Sequence, residues 1–157
     1  MKNEGLSPIV QTITSLLFPL TLIFAFYIIL FGHVTPGGGF QGGAVGASAV
    51  VMIIVAFGAK HIHEKMNHDT MSIFESTGAL VFILTGLIGL LVASTFLSNF
   101  LIGEFIFGKI PAWGSNPGIL NSGGILPILN IAVGMKVIAG LSAVVLLMAL
   151  AMEDKKK

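Results

Sequence analysis

Lys136 is the residue with the most chemistry to offer. It is the only charged side chain between Pro127 and Met152, in an otherwise apolar run. An ammonium group inside hydrocarbon costs at least ~2.5–3.5 kcal/mol, so such a residue normally points into protein or an internal water chain. Counting from Pro127, the helical rise sets it about 14 Å from one end of that run and about 5 Å from its middle. A lysine stem reaches roughly 6 Å, so its charge does not fully snorkel to the headgroups. Ala132, Gly140 and Ala143 share its helical face, and such small residues let a second helix approach closely. Two readings follow. The lysine acts as a proton or cation relay, or it is the positive half of a structural ion pair between subunits. The nearest acid in a neighbouring apolar run, Glu75, falls in the first turn of the segment that starts at Ile73. There it suits the positive end of the helix dipole and is expected to lie too shallow to reach Lys136. The counter-charge is therefore expected on another subunit.

His33 closes the first apolar run. An imidazole titrates near neutrality and can pass protons at the mouth of a pathway, or it can simply hydrogen-bond a turn. Pro19, midway along that run, removes a helical hydrogen bond to Ser15 and predicts a kink. After His33 comes a dense glycine block, Gly32-His33-Val34-Thr35-Pro36-Gly37-Gly38-Gly39-Phe40-Gln41-Gly42-Gly43. It contains the spacing of a dinucleotide fingerprint, but no strand precedes it, so that reading fails. Packing fits better: Gly38, Gly42 and Gly46, and beside them Gly39, Gly43 and Ala47, form two smooth stripes on one helix. His63 and His68 are five apart, which sets them ~140° around a helix and spoils a zinc-protease reading. No metal site and no cofactor loop is expected, and the segment from His61 to Asp69 reads as a solvated polar loop.

These residues need elements that can hold them, and the composition says which. From Gly5 to Ala59 there is no Asp, Glu, Lys or Arg. Apolar residues make up 55% of the 157-residue chain, charged ones 10%, and mean hydropathy is +0.98. A soluble domain carries about 25% charged residues, so a bilayer is the solvent this chain is written for. Arginine and cysteine are absent, which excludes a basic nucleic-acid stripe, disulfides and thiolate metal sites. The first apolar run lacks a cleavage site and is too long for a signal peptide, so it reads as a retained span.

Four segments of membrane length stand out: about 9–31, 39–59, 73–97 and 127–152. Backbone groups inside lipid must satisfy one another, and ten-residue alternating strands are missing, so these are helices. The expected fold is an all-α integral membrane protein, a single four-helix domain over 1–157, with a kinked first helix and a glycine-striped second one. Lys2, Lys60, Lys65, Lys155, Lys156 and Lys157 fall on one side and Lys109 alone on the other. By the positive-inside rule both termini are cytoplasmic and the glycine block faces outward. The connection 98–126 is long for a bundle; its Pro and Gly residues break regular structure, and Trp113 suits an interfacial anchor.

With these residues in view, the chain resembles the MrpB (MnhB) family, small four-helix subunits of multisubunit cation/proton antiporters. The resemblance rests on Gly32-His33-x-x-Pro36-Gly37-Gly38-Gly39-Phe40-x-Gly42-Gly43 opening the second span. The order of spans and connections fits over nearly the whole length. It implies a non-catalytic subunit without cofactor in the cell membrane, working beside larger subunits that exchange Na⁺ for H⁺. Related subunits are built into archaeal respiratory complexes in which hydrogen evolution or sulfur reduction drives the same module. The chain departs from many stand-alone members at Asn130-Ile131-Ala132-Val133, where those look more like Asp-Ile-Gly-Val and lack the lysine. That departure removes an acid at Asn130 and leans towards the redox-complex relatives. The implied ion-path candidates are Lys136, His33, Glu75 and Asn130; a purely structural spacer and a stand-alone antiporter subunit are the competing readings. Nothing supports an enzyme, since no nucleophile–base pair is present.

Overall fold

The computed structural model describes residues 5–65, 68–111 and 115–154; Trp113 and the lysines at 2 and 155–157 lie outside the described residues. Among them run five helices: α1 (Pro8–Phe31), α2 (Gly39–Phe57), α3 (Ala59–Lys65), α4 (His68–Ala93) and α5 (Leu126–Asp154). All except α3 are long and apolar enough to cross a membrane. At about 1.5 Å per residue, α2 (19 residues) matches a ~30 Å hydrocarbon core, while α5 (29 residues) exceeds it and must tilt or protrude.

Two boundaries differ from the sequence expectation. Residues 59–65 of the polar stretch after Gly58 are helical and not a loop: Gly58, at φ +91°, ends α2, and the chain turns directly into α3. In addition, α4 begins at His68 and ends at Ala93, about five residues earlier than expected at both ends. Hydropathy marks where lipid begins, whereas a helix is free to continue into water through residues such as Asp69, Thr70 and Ser72.

The helices form a row instead of a closed square. α2 lies between α1 and α5, and α5 lies between α2 and α4, with a smaller contact from α1 to α5. Lipid tails are as apolar as leucine, so close van der Waals packing must hold such a row together. The glycines make it possible. A Cβ on Gly42 would come 2.8 Å from the Ala25 carbonyl oxygen and 3.0 Å from the Ile29 nitrogen, so α1 and α2 meet backbone to backbone. One on Gly43 would come 2.7 Å from Val137 and 3.1 Å from the Gly134 oxygen, which marks the same intimacy with α5. At the end of the row nearest α3, Val50, Ile54, Ala59, Ile62, Met71 and Leu146 form an apolar cluster that ties α2, α3, α4 and α5 together.

The α1–α2 turn closes with few residues. Val34 and Thr35 donate their backbone N–H groups to the Phe31 carbonyl at 2.8 and 2.9 Å, and the Thr35 hydroxyl adds a third bond at 3.1 Å. Gly37 and Gly38 then take φ values of +151° and +142°, which side chains other than hydrogen avoid. The described residues of the connection 94–125 are irregular, with a bridge between Lys109 and Ser122. Pro19 sits inside α1.

Candidate functional site

The site grows from the α4–α5 contact. Gly78 of α4 lies flush against α5: a Cβ there would meet the Lys136 nitrogen at 3.0 Å and the Lys136 Cβ at 3.2 Å. With the helices this close, Lys136 Nζ donates to Glu75 Oε1 at 3.3 Å. One turn along α5, Gly140 leaves space for the Glu75 carboxyl, 3.7 Å from where its Cβ would stand. The expectation that Glu75 sits too shallow to reach Lys136 is therefore wrong. The early start of α4 makes Glu75 the eighth residue of its helix instead of a first-turn acid, and the seating of Gly78 against Lys136 sets the two helices at a level where the charges meet. The counter-charge belongs to the same chain and need not be sought on another subunit.

The pair is not sealed. Lys136 is 50% exposed and Glu75 43% exposed in the single chain. Beside them opens a groove of about 290 Å³, lined by Gly78, Ala79, Phe82 and Ile83 of α4 and by Ala132, Val133 and Lys136 of α5. An ammonium has three donors and a carboxylate two acceptor oxygens, so one mutual bond leaves both groups with capacity to bind something further.

Asn130, on the same helix, is occupied elsewhere. Its side-chain oxygen accepts the backbone N–H of Gly39 at 3.3 Å. The N-cap of α2 is Gly38, which has no side chain to satisfy the first free N–H groups. Asn130 supplies that cap from across the helix interface, and an Asp could do the same. Sequence reading missed this because capping residues are sought next to a helix start in the chain, not ninety residues further on.

His33 lies under the long connection: a Cβ on Gly123 would touch its Cδ2 at 3.0 Å. Both ring nitrogens are buried without a hydrogen bond to the described residues. The structure thus keeps His33 and Lys136 in different surroundings, the first beneath the connection and the second at the groove. Three asparagines brace the connection from within. Asn99 accepts from Ile125 N at 2.9 Å and donates to the Gly123 carbonyl at 3.1 Å. Asn116 accepts from Ile119 N and donates to Ser122 Oγ. Asn121 accepts from Phe107 N and donates to the Phe105 carbonyl. Among the described residues no three His, Asp or Glu side chains converge as metal ligands would.

Fold and site together define a multi-pass helical membrane protein in which the Glu75–Lys136 pair joins two of the membrane-length helices, α4 and α5. A family model described as a domain related to the MnhB subunit of Na⁺/H⁺ antiporters matches residues 9–143, and the chain belongs to that family. It is 37% identical over 151 residues to the protein MJ1307 of Methanocaldococcus jannaschii, covering 93% of this chain and 55% of that one. A protein of Staphylococcus aureus (strain Newman) named as antiporter subunit mnhB2 is 35% identical over 92 residues, covering 59% of this chain and 64% of the relative. Among solved structures, a chain of the membrane-bound sulfane sulfur reductase, an archaeal respiratory membrane complex, superposes with a TM-score of 0.73 at 34% identity. That match covers 95% of this chain and 60% of the other. The chain therefore spans little more than half the length of these relatives.

Proposed function

We propose that this chain is an accessory, non-catalytic subunit of a Mrp-type Na⁺/H⁺ antiporter module inside a redox-driven respiratory complex of the cytoplasmic membrane. In this reading both termini face the cytoplasm, and the Glu75–Lys136 pair lines the cation or proton path. The observation that carries it is the pair itself: two opposite charges set 3.3 Å apart between membrane-length helices, with Lys136 facing a groove. A pair needed only for packing is better replaced by apolar residues, since a buried ion pair is seldom more stable than its hydrophobic isostere. A carboxylate and an ammonium within hydrogen-bond reach can exchange a proton or release one another when a cation arrives. The similarity to the sulfane sulfur reductase chain along nearly the whole sequence supports a redox-driven host. Similarity to mnhB2 supports the alternative, a subunit of a stand-alone antiporter.

The test uses the assembled complex in inverted membrane vesicles. The Lys136→Met and Glu75→Gln variants keep side-chain length and lose charge. Sodium-dependent proton movement is expected to fall at least tenfold while the complex still assembles. Full transport by both variants would reduce the chain to a spacer.

A further inference from the structure

The half-exposed pair and its groove define an interaction surface. We propose that a transmembrane helix of a different subunit seats in the α4–α5 groove and offers Lys136 a polar, hydrogen-bond-accepting side chain. This rests on the membrane-subunit reading above, though not on Lys136 moving ions.

The argument starts from what the groove demands. Its floor is small, with Gly78, Ala79 and Ala132, which is the surface that membrane helices use to approach one another. Lys136 is its one polar lining side chain, and its Nζ spends a single described bond on Glu75. Hydrocarbon against the remaining N–H groups would leave them unsatisfied. A lipid tail can fill the volume but accepts no hydrogen bond. A second copy of this chain also fits poorly. Two grooves set face to face are concave against concave, and the acceptor nearest the copy's groove, Glu75, is already paired with its own Lys136. A helix from another subunit satisfies both the shape and the charge.

The chain has no cysteine, so an introduced one is unique within this subunit, and adducts that contain a peptide of this chain report from that position. Ala79→Cys and Ile83→Cys, placed separately in the complete complex and carrying a maleimide photo-crosslinker, are expected to join one other membrane subunit, identified by mass spectrometry of the adduct. Ala79→Trp, which fills the groove, should lower the yield of that subunit on co-purification at least tenfold, whereas Ala79→Ser should not. Adducts with lipid alone, or with a second copy of this chain, overturn the proposal. Cross-linking is read without transport, so the two readings fail separately. Lipid adducts beside a transport-dead Lys136→Met would remove the docking site and leave the ion path. A subunit adduct beside a fully active Lys136→Met would do the reverse.

Discussion

Gly78 and Lys136 are in backbone contact: a single methyl group on Gly78 would reach to 3.0 Å from the Lys136 nitrogen. The lysine's position is thus fixed by a residue that contributes no side chain. Gly78→Ala should push α4 off α5 and lower stability by about 1–3 kcal/mol, the usual range for overpacking. Gly140→Ala meets the Glu75 carboxyl at an ordinary 3.7 Å and should be neutral. Thermal unfolding of the two variants in the same detergent separates them, and an equal drop in Tm would contradict the contact geometry.

The strength of the Glu75–Lys136 pair should depend on what surrounds it. In the isolated chain, with both groups about half exposed, a double-mutant cycle of Glu75→Gln and Lys136→Met is expected to give a coupling of ~1 kcal/mol or less. Inside the complex, with the groove covered, removing one partner strands the other, and losses of about 3–5 kcal/mol are the norm for buried pairs. The neutral double variant should recover most of that loss. Equal coupling in both settings would mean that nothing covers the groove.

Asn130 should behave as a cap and not as an acid. Asn130→Leu removes the oxygen bound to Gly39 N and should cost about 1 kcal/mol, in line with lost N-caps. Asn130→Asp keeps the acceptor at a helix N-terminus, where negative charge is favoured, and should hold or raise stability. Denaturation in mild detergent, read by helical circular dichroism, tests both. A destabilising Asp with a harmless Leu would contradict the assignment.

His33 offers a sharp contrast between folding and transport. Two buried ring nitrogens without a hydrogen bond to the described residues stabilise nothing, so His33→Phe, close in shape, should leave Tm unchanged or raise it. If the imidazole passes protons under the long connection, the same variant lowers proton movement in vesicles. A variant normal in both respects makes His33 a packing residue only.

Much of this fold was legible because lipid imposes crude rules. Length and missing charge located four membrane-length helices, and for α1, α2 and α5 the ends fell within about two residues of those observed. What failed was the level at which the last two helices pack. Nothing in the polarity of His68, Asp69 and Thr70 says that they already belong to a helix, and nothing local to either run says that Gly78 seats against Lys136 and so brings Glu75 beside it. The Asn130 cap and the asparagines of the connection were illegible for another reason. Each bonds backbone groups that become neighbours only after the helices pack, so no local spacing announces them.

Asn130 and Lys136 ride on one stiff rod, six residues and about 9 Å apart. One grips the threshold of the glycine-rich helix, and the other holds the acid of α4. Any tilt or screw motion of that rod tugs at both grips together. A disturbance at the ion pair would thus be felt at the far hairpin without any chain of intermediaries.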